Sequence, residues 1–144
     1  MTLVVDASVA VKWFVREELT EEAYRLLRSG EDLTAPELVV AEVTNIAWKK
    51  LVRNQITPGH AATVATGIRY SDIRLLPSAA FNERALEMAR TLNHPVYDCL
   101  YLACAEETDA AVITADRRFY RAAANGGFAR RIALLRGREF PSPP

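Results

Sequence analysis

The feature that most constrains the fold of this chain lies near its amino terminus, where a short β-branched run ends at a single carboxylate. Val4 and Val5 have the composition of a buried strand, Asp6 follows them, and an apolar segment at helical spacing begins at once. This order of strand, acid and helix places Asp6 at the carboxyl end of a strand, where open α/β sheets bind their ligands. We expect the rest of the chain to bring three more carboxylates to the same edge.

Beyond this junction the chain alternates strand-like and helix-like segments. Further strands are predicted at residues 33–35, 72–76, 110–113 and 132–135. Helices are predicted at residues 7–14, 18–29, 36–53, 57–70, 78–92, 97–107 and 117–125. Such alternation predicts a parallel sheet covered on both faces, and right-handed crossovers make it a three-layer α/β/α sandwich of about five strands.

Capping signals and chain length refine this organisation. Ser78 is predicted to cap the helix that follows it, and the helices at 36–53 and 57–70 are predicted to form an antiparallel hairpin. A length of 144 residues suits one domain, which we expect to span residues 1–140. The proline-rich segment 141–144 is expected to be a frayed tail.

The lengths of the apolar runs and the positions of the two cysteines indicate the cellular compartment of the protein. No stretch approaches the roughly 20 apolar residues of a membrane span. Asp6 and Lys12 interrupt the apolar amino terminus, and no basic region precedes it, so we expect no signal peptide. Cys99 and Cys104 lie five residues apart on a predicted helix and point to different faces, so we expect no disulfide between them. These features favour a reducing, cytoplasmic compartment.

Charge is balanced overall but unevenly distributed along the chain. There are 18 basic and 18 acidic residues, yet the segment after Ala115 has seven arginines against Asp116 and Glu139. A polyanion such as RNA would suit this segment, and an ordinary solvated surface has the same composition. Charge alone leaves both interpretations open.

Two acids follow strands and precede helices. Asp6 follows the first predicted strand, and Asp116 follows the strand that contains Val112 and Ile113. Either side chain can simply cap the helix after it, which is the commoner use of aspartate at such a junction. Because neighbouring parallel strands end at one edge of a sheet, the two acids are also predicted to lie close together.

Two further acids lie on helices where a charge is costly. Glu42 falls between Leu38 and Ile46 on an apolar stripe, and Asp98 opens a helix that is apolar nearly all round. A buried unpaired charge needs a partner. Asn45 or Lys49 could supply one to Glu42, and free first-turn N–H groups could supply one to Asp98. A pocket shared with the other two acids is the economical alternative.

A shared pocket of four carboxylates calls for a cation. Two such charges 4 Å apart repel by roughly 4 kcal/mol at an effective dielectric constant near 20. Mg²⁺ and Mn²⁺ prefer oxygen ligands, whereas zinc prefers histidine or cysteine. The two histidines, His60 and His94, are predicted on a helix surface and at a helix end. The pattern therefore favours a hard divalent ion.

Four short motifs carry these acids in order along the chain. They are Asp6 within Val-Val-Asp-Ala-Ser, Glu42 within Ala-Glu-Val-Thr-Asn, Asp98 within Tyr-Asp-Cys-Leu-Tyr-Leu-Ala and Asp116 within Thr-Ala-Asp-Arg-Arg-Phe. The set resembles the PIN-domain family and, more narrowly, the VapC-type toxins of bacterial toxin–antitoxin pairs. The resemblance covers essentially the whole chain, with Ser8, Lys12 and Thr114 also in place.

This resemblance implies a PIN-like fold and a Mg²⁺- or Mn²⁺-dependent endoribonuclease. It implies that the acidic cluster Asp6, Glu42, Asp98 and Asp116 is catalytic and binds the metal, with Ser8 and Thr114 as supporting hydroxyls. Candidate contacts to the RNA backbone are Lys12, Lys49, Arg117 and Arg118. It further implies a homodimer and a small VapB-like antitoxin, which could join it in a higher assembly. We expect the helix hairpin at 37–70 to contribute to the antitoxin groove and the dimer contact.

Other classes of function fit the residues less well. A phosphatase with Asp6 as nucleophile usually has a second aspartate two residues on, where this chain has Ser8. A phospho-receiver would need an acceptor aspartate after a middle strand, and Leu76-Pro77 offers none. A PIN-like module that binds RNA or protein without cutting is the remaining alternative.

Overall fold

Five parallel strands form one sheet in the computed structural model, which describes residues 2–136. The strands are β1 (Thr2–Val5), β2 (Asp32–Pro36), β3 (Arg74–Leu76), β4 (Ala111–Thr114) and β5 (Ile132–Leu134), in the spatial order β3-β2-β1-β4-β5. Strand β1 lies at the centre, and its Leu3, Val4 and Val5 are completely buried. A strand that is apolar on both faces fits a sheet covered on both sides.

Seven α-helices connect these strands within the described residues. They are α1 (Ala7–Ala10), α2 (Thr20–Leu27), α3 (Leu38–Val52), α4 (Pro58–Arg69), α5 (Asn82–Leu92), α6 (Val96–Glu107) and α7 (Arg117–Ala123). A 3₁₀ turn at Val11–Trp13 extends α1, and another at Ser78–Phe81 precedes α5. No helix in this part of the chain is long and apolar enough to cross a membrane.

The connections divide the helices between the two faces of the sheet. From β1 the chain moves outward through β2 to β3, then returns to β4 on the other side of β1. Right-handed crossovers therefore place α1 to α4 on one face and α5 to α7 on the other. Helix α3 packs against α1 and α4, and α5 packs against α6, as this arrangement requires. The predicted three-layer sandwich and the predicted helix hairpin are confirmed.

The reversal of direction creates a switch point between β1 and β4. Ligands of open α/β sheets bind in the crevice outside the carboxyl ends of the strands at such a point. The register pairs Val5 with Ile113, so β1 and β4 end side by side. The residues that follow each strand, from Asp6 and from Ala115 onward, therefore face the same crevice.

Helix α6 is the buried helix of the second face. Its residues from Cys99 to Ala105 are all buried, and it packs against β1, β2 and β4. Cys99 and Cys104 are free thiols, as predicted. Because α6 begins beside the carboxyl ends of these strands, its first turn carries Asp98 towards the crevice.

The prediction that Ser78 caps its own helix is wrong. The Oγ of Ser78 accepts a hydrogen bond from the backbone N–H of Leu38 at 2.9 Å, so Ser78 caps α3. The reason is topological: β2 and β3 are neighbours with Pro36 opposite Leu76, which brings the residue after β3 to the start of α3. The predicted tail at 141–144, and residues 137–140 of the predicted domain, lie outside the described residues.

Candidate functional site

Asp6 lies at the base of the crevice and is only 4% exposed. Its Oδ1 accepts hydrogen bonds from the Oγ of Ser8 at 2.6 Å and from the backbone N–H of Val9 at 3.2 Å. Its Oδ2 accepts a short hydrogen bond from the hydroxyl of Thr114. The bond from Val9 makes Asp6 the N-cap of α1, so the capping interpretation holds. The hydrogen bonds from the hydroxyls of Ser8 and Thr114 are additional to this capping bond.

Ser8 and Thr114 join the ends of β1 and β4 into one network. The Oγ of Ser8 accepts a hydrogen bond from the backbone N–H of Ala115 at 2.9 Å, and the Oγ1 of Thr114 accepts one from that of Asp116 at 3.0 Å. Their own hydroxyls donate to Asp6. The two predicted supporting hydroxyls therefore fix the relative position of Asp6 and the turn that carries Asp116.

Asp116 is the exposed member of the predicted cluster. Its Oδ1 accepts hydrogen bonds from the backbone N–H groups of Arg118 at 2.9 Å and Phe119 at 3.2 Å. Asp116 is therefore the N-cap of α7, as the alternative interpretation held. Its carboxylate is held by the helix terminus beside the crevice.

Asp98 is held by a histidine and not by the first-turn N–H groups considered above. The Nε2 of His94 lies 2.6 Å from the Oδ2 of Asp98. The imidazole is buried and stacks on Phe119 of α7, with 5.5 Å between the ring centroids. The sequence predicted only that His94 lies at a helix end. The spacing of four residues between His94 and Asp98, an acid on an apolar helix, is the signal that could have identified this contact.

Glu42 is held by a tyrosine from the opposite face of the sheet. The hydroxyl of Tyr101 donates to the Oε1 of Glu42 at 2.6 Å, in place of the expected Asn45 or Lys49. Tyr101 is 1% exposed, so this hydroxyl lies in the interior and bridges α6 to α3. Tyr101 belongs to the motif that carries Asp98, and its sequence position gave no sign that the side chain reaches α3.

The pKa values of three acids report their shared environment. Burial raises the pKa of Asp6 from 3.8 to about 7, against the opposing effect of its hydrogen bonds from Ser8 and Thr114. Burial also raises the pKa of Glu42 and of Asp98, while Tyr101 and His94 respectively oppose the rise. Burial thus shifts all three carboxyls towards the protonated form, and a positive charge beside them would shift them back.

Asp98 is the common electrostatic neighbour of the cluster. Its negative charge raises the pKa of Asp6 and that of Glu42, and the charge of Asp116 raises the pKa of Asp98 itself. Burial raises the pKa of Tyr101 well above its ordinary value, and the charges of Glu42, Asp6 and Asp98 raise it further. Asp98 thus lies within electrostatic range of each of the other three predicted acids.

The chemistry of this donor set fits a hard divalent cation. The candidate ligands are carboxylates and hydroxyls, which are the oxygen donors that Mg²⁺ and Mn²⁺ prefer. A cation here would favour the ionised forms that burial and mutual repulsion disfavour. In residues 2–136, however, no group of three or more His, Cys, Asp or Glu side chains is arranged to hold a metal ion. Asp6, Glu42 and Asp98 are instead engaged by protein donors.

The four predicted RNA contacts occupy different surroundings. Lys12 is buried, and its Nζ lies 2.8 Å from the Oε1 of Glu17. Lys49 is exposed and lines an apolar groove beside Glu42. Arg117 and Arg118 are exposed in the first turn of α7, and Arg117 lines a cavity together with Lys12.

Together, the parallel sheet and the acids at its switch point define an α/β/α domain with an acidic site at the carboxyl edge of the sheet. The family model of the PIN domain matches residues 3–125. Ribonuclease VapC12 of Mycobacterium tuberculosis is 31% identical over 116 residues, which cover 81% of this chain and 88% of that protein. The chain therefore belongs to the PIN domain family and, within it, to the VapC proteins.

Other known proteins agree with this assignment. Ribonuclease VapC3 of Pyrobaculum aerophilum is 29% identical over 120 residues, covering 82% of this chain and 92% of that protein. The crystal structure of Mycobacterium tuberculosis VapC20, a sarcin-ricin loop cleaving toxin, superposes with a TM-score of 0.68 at 19% identity, covering 83% and 94% of the two chains. A toxin–antitoxin complex from Klebsiella pneumoniae superposes with a TM-score of 0.65 at 15% identity, covering 92% of this chain and 97% of that chain. At these identities the solved structures establish the likeness of fold.

Proposed function

We propose that this chain is a divalent-metal-dependent endoribonuclease and the toxin of a toxin–antitoxin pair. The observation that carries the proposal is the electrostatic coupling of Asp98 to the other three acids at the switch point of the sheet. The names of the curated relatives, Ribonuclease VapC3 and VapC12, support RNA as the substrate.

The proposed mechanism assigns each group a role. Asp6, Glu42, Asp98 and Asp116 would hold Mg²⁺ or Mn²⁺, which would make water a stronger nucleophile and offset charge on the phosphate. Ser8 and Thr114 orient Asp6 through their hydroxyls. No side chain needs to attack phosphorus.

His94 and Tyr101 are positioning residues in this mechanism. They hold one oxygen each of Asp98 and Glu42 and leave the other oxygen of each carboxylate for the cation. Such outer partners orient ligands that would otherwise rotate freely.

A single assay tests the proposed activity. Defined single-stranded RNAs are incubated with Mg²⁺, with Mn²⁺ or with a chelator, for the parent chain, for Asp6→Asn and for Asp72→Asn. Asp72 is an exposed acid outside the crevice and serves as the matched control. We expect metal-dependent cleavage by the parent and the control, and a loss of roughly a hundredfold or more in Asp6→Asn. Equal cleavage by all three proteins, or cleavage that survives the chelator, would contradict the proposal.

One observation favours a second candidate, a PIN-like module that binds RNA or protein without cutting. The described residues contain no ready-made group of three metal ligands. The same assay separates the two candidates, because such a module would leave every RNA intact under all conditions while its binding survived the Asp6→Asn substitution.

The proposed partner is a small antitoxin, and the proposed assembly is a homodimer in the cytoplasm. The antitoxin is supported by the fold shared with the Klebsiella pneumoniae toxin–antitoxin complex. Trp48 and Val52 on α3 are each 56% exposed, and the groove beside Glu42 is lined by Leu38 and Ile46. Exposed apolar surface of this kind supports an interface at the helix hairpin. Two free buried cysteines support a reducing compartment.

Co-purification with a small protein and a measured mass in solution test the partner and the dimer. A small protein that binds stoichiometrically and suppresses RNA cleavage is the expected result. A fully active monomer that no such protein inhibits would contradict both assignments.

A further inference from the structure

A second cavity lies beside the acidic cluster, at the carboxyl ends of β4 and β5. Its volume is about 330 Å³, within the range of small-ligand pockets. Ala115 forms part of its wall and lies between Thr114 and Asp116, both members of the site described above. The lining joins Leu134 of β5 to Lys12 of the 3₁₀ turn after α1, so the cavity extends from the end of the sheet to the segment that follows Asp6.

The side chains that line this cavity are mainly cationic. Lys12, Arg117 and Arg136 line it, against the single carboxylate Glu18. Lys12 forms an ion pair with Glu17, but the other oxygen of Glu17 is bound at 2.9 Å by Lys50. Glu17 therefore compensates only one of the two lysines that it binds.

Arg117 and Arg136 have no ion-pair partner among the described residues, and both are exposed. The lining of the cavity thus has three cations against one carboxylate, which leaves two positive charges available there, while Glu17 and Lys50 behind Lys12 offset each other. The planar guanidinium groups of Arg117 and Arg136 match the paired oxygens of a phosphate.

We propose that this cavity binds a backbone phosphodiester of single-stranded RNA and so fixes the position of the strand over the acidic cluster. The proposal extends the proposed function, because the acids would cut the strand that this cavity holds. It adds Arg136 to the residues that contact RNA and gives Lys12 the role of a buried charge held in place by Glu17.

An acidic peptide is the rival ligand, and the lining of the cavity disfavours it. Tight peptide binding depends on apolar anchors in well-packed pockets, and this cavity offers only Leu19, Leu134 and Ala115 besides its charged groups. A phosphodiester needs no such anchor, because its affinity comes from cations that neutralise it.

The experiment measures RNA binding without cleavage. A fluorescent ten-nucleotide RNA with a 5′-hydroxyl is titrated with the full chain in chelator, by anisotropy, at several salt concentrations. The proteins are the parent, Arg136→Gln, Arg117→Gln and the matched control Arg121→Gln. Arg121 is exposed in the last turn of α7 and does not line the cavity.

The two cavity variants should bind roughly fivefold more weakly than the parent at low salt, with the control unchanged. Each should also lower the slope of log affinity against log salt by about 0.7, the value for one lost phosphate contact on a single strand. Slopes equal to that of the parent in both cavity variants would overturn the proposal.

Two further measurements identify which ligand the cavity binds. An RNA with a 5′-phosphate should bind no better than the 5′-hydroxyl RNA, and a strong preference for it would show that the cavity takes a strand end. A polyglutamate peptide that competes as well as RNA of equal charge would assign the cavity to an acidic protein. If the chain binds RNA as described but never cuts it, the cavity stands and the nuclease proposal fails. If the chain cuts RNA but the salt slopes of both cavity variants equal that of the parent, the nuclease proposal stands and the cavity proposal fails.

Discussion

Asp6 should make the stability of the folded protein depend on pH in the opposite sense to an acid whose pKa is lowered on folding. Its pKa is raised from 3.8 to about 7, so the folded protein keeps this proton over a range in which the unfolded chain has lost it. The stabilisation from the protonated carboxyl is complete below about pH 4 and is lost as the pH rises to about 7. Substitution by asparagine removes the dependence, because an amide does not ionise.

The magnitude follows from the width of that range. Each pH unit between 3.8 and about 7 costs about 1.4 kcal/mol of unfolding free energy, or about 4 kcal/mol in total. Asparagine keeps the shape of the side chain, but an NH₂ group that cannot accept replaces one of the two oxygens that accept from Ser8 and from Thr114, at a cost of about 1 kcal/mol. We therefore expect Asp6→Asn to be about 1 kcal/mol less stable than the parent at pH 4 and about 3 kcal/mol more stable at pH 8.

The assay is urea unfolding in chelator, followed by the fluorescence of Trp13 and Trp48, at a series of pH values from 4 to 8. Asp72→Asn, at an exposed position outside the crevice, is the matched control and should follow the parent at every pH. A difference between Asp6→Asn and the parent that does not change with pH would refute the reasoning, because the pKa of Asp6 would then be the same in the folded and unfolded states.

Three other outcomes follow from the same contacts. Tyr101→Phe should reduce RNA cleavage roughly tenfold in kcat with little change in KM, because only the donor to Glu42 is lost; an unchanged kcat would contradict its positioning role. Millimolar Mg²⁺ at pH 8 should raise the unfolding midpoint of the parent but not that of Asp6→Asn, and equal rises would remove Asp6 from the metal site. Leu102→Ala, in the fully buried part of α6, should cost about 2–5 kcal/mol of unfolding free energy in urea titrations, and a cost below 1 kcal/mol would contradict tight packing there.

The positions of the elements were predictable because local signals decide them. The Val4-Val5 run followed by Asp6 predicted a strand end, and the apolar pattern of residues 97–107 predicted the buried helix α6. The same acids also follow capping rules, and the structure shows both Asp6 and Asp116 as N-caps. A local motif of this kind is satisfied whether or not the residue has a second role.

The contacts that cross the sheet were not predictable from local signals. Ser78 caps α3 and not the helix that it precedes, because the pairing of β2 with β3 brings residues 40 positions apart together. Tyr101 reaches Glu42 over 59 positions for a similar reason. Sequence spacing identifies neighbours on one helix, whereas these partners depend on how strands and helices pack in space.

The proposed nuclease activity depends on one cation site formed by Asp6, Glu42, Asp98 and Asp116, and metal binding is the direct test of that site. Calorimetric titration of Mn²⁺ into the parent chain, Asp98→Asn and the control Asp72→Asn compares the acid that couples to the other three with one that lies outside the crevice. We predict saturable binding to the parent and to Asp72→Asn, and a loss of affinity of at least about tenfold in Asp98→Asn. Binding of equal affinity to all three proteins, or binding to none, would contradict the account.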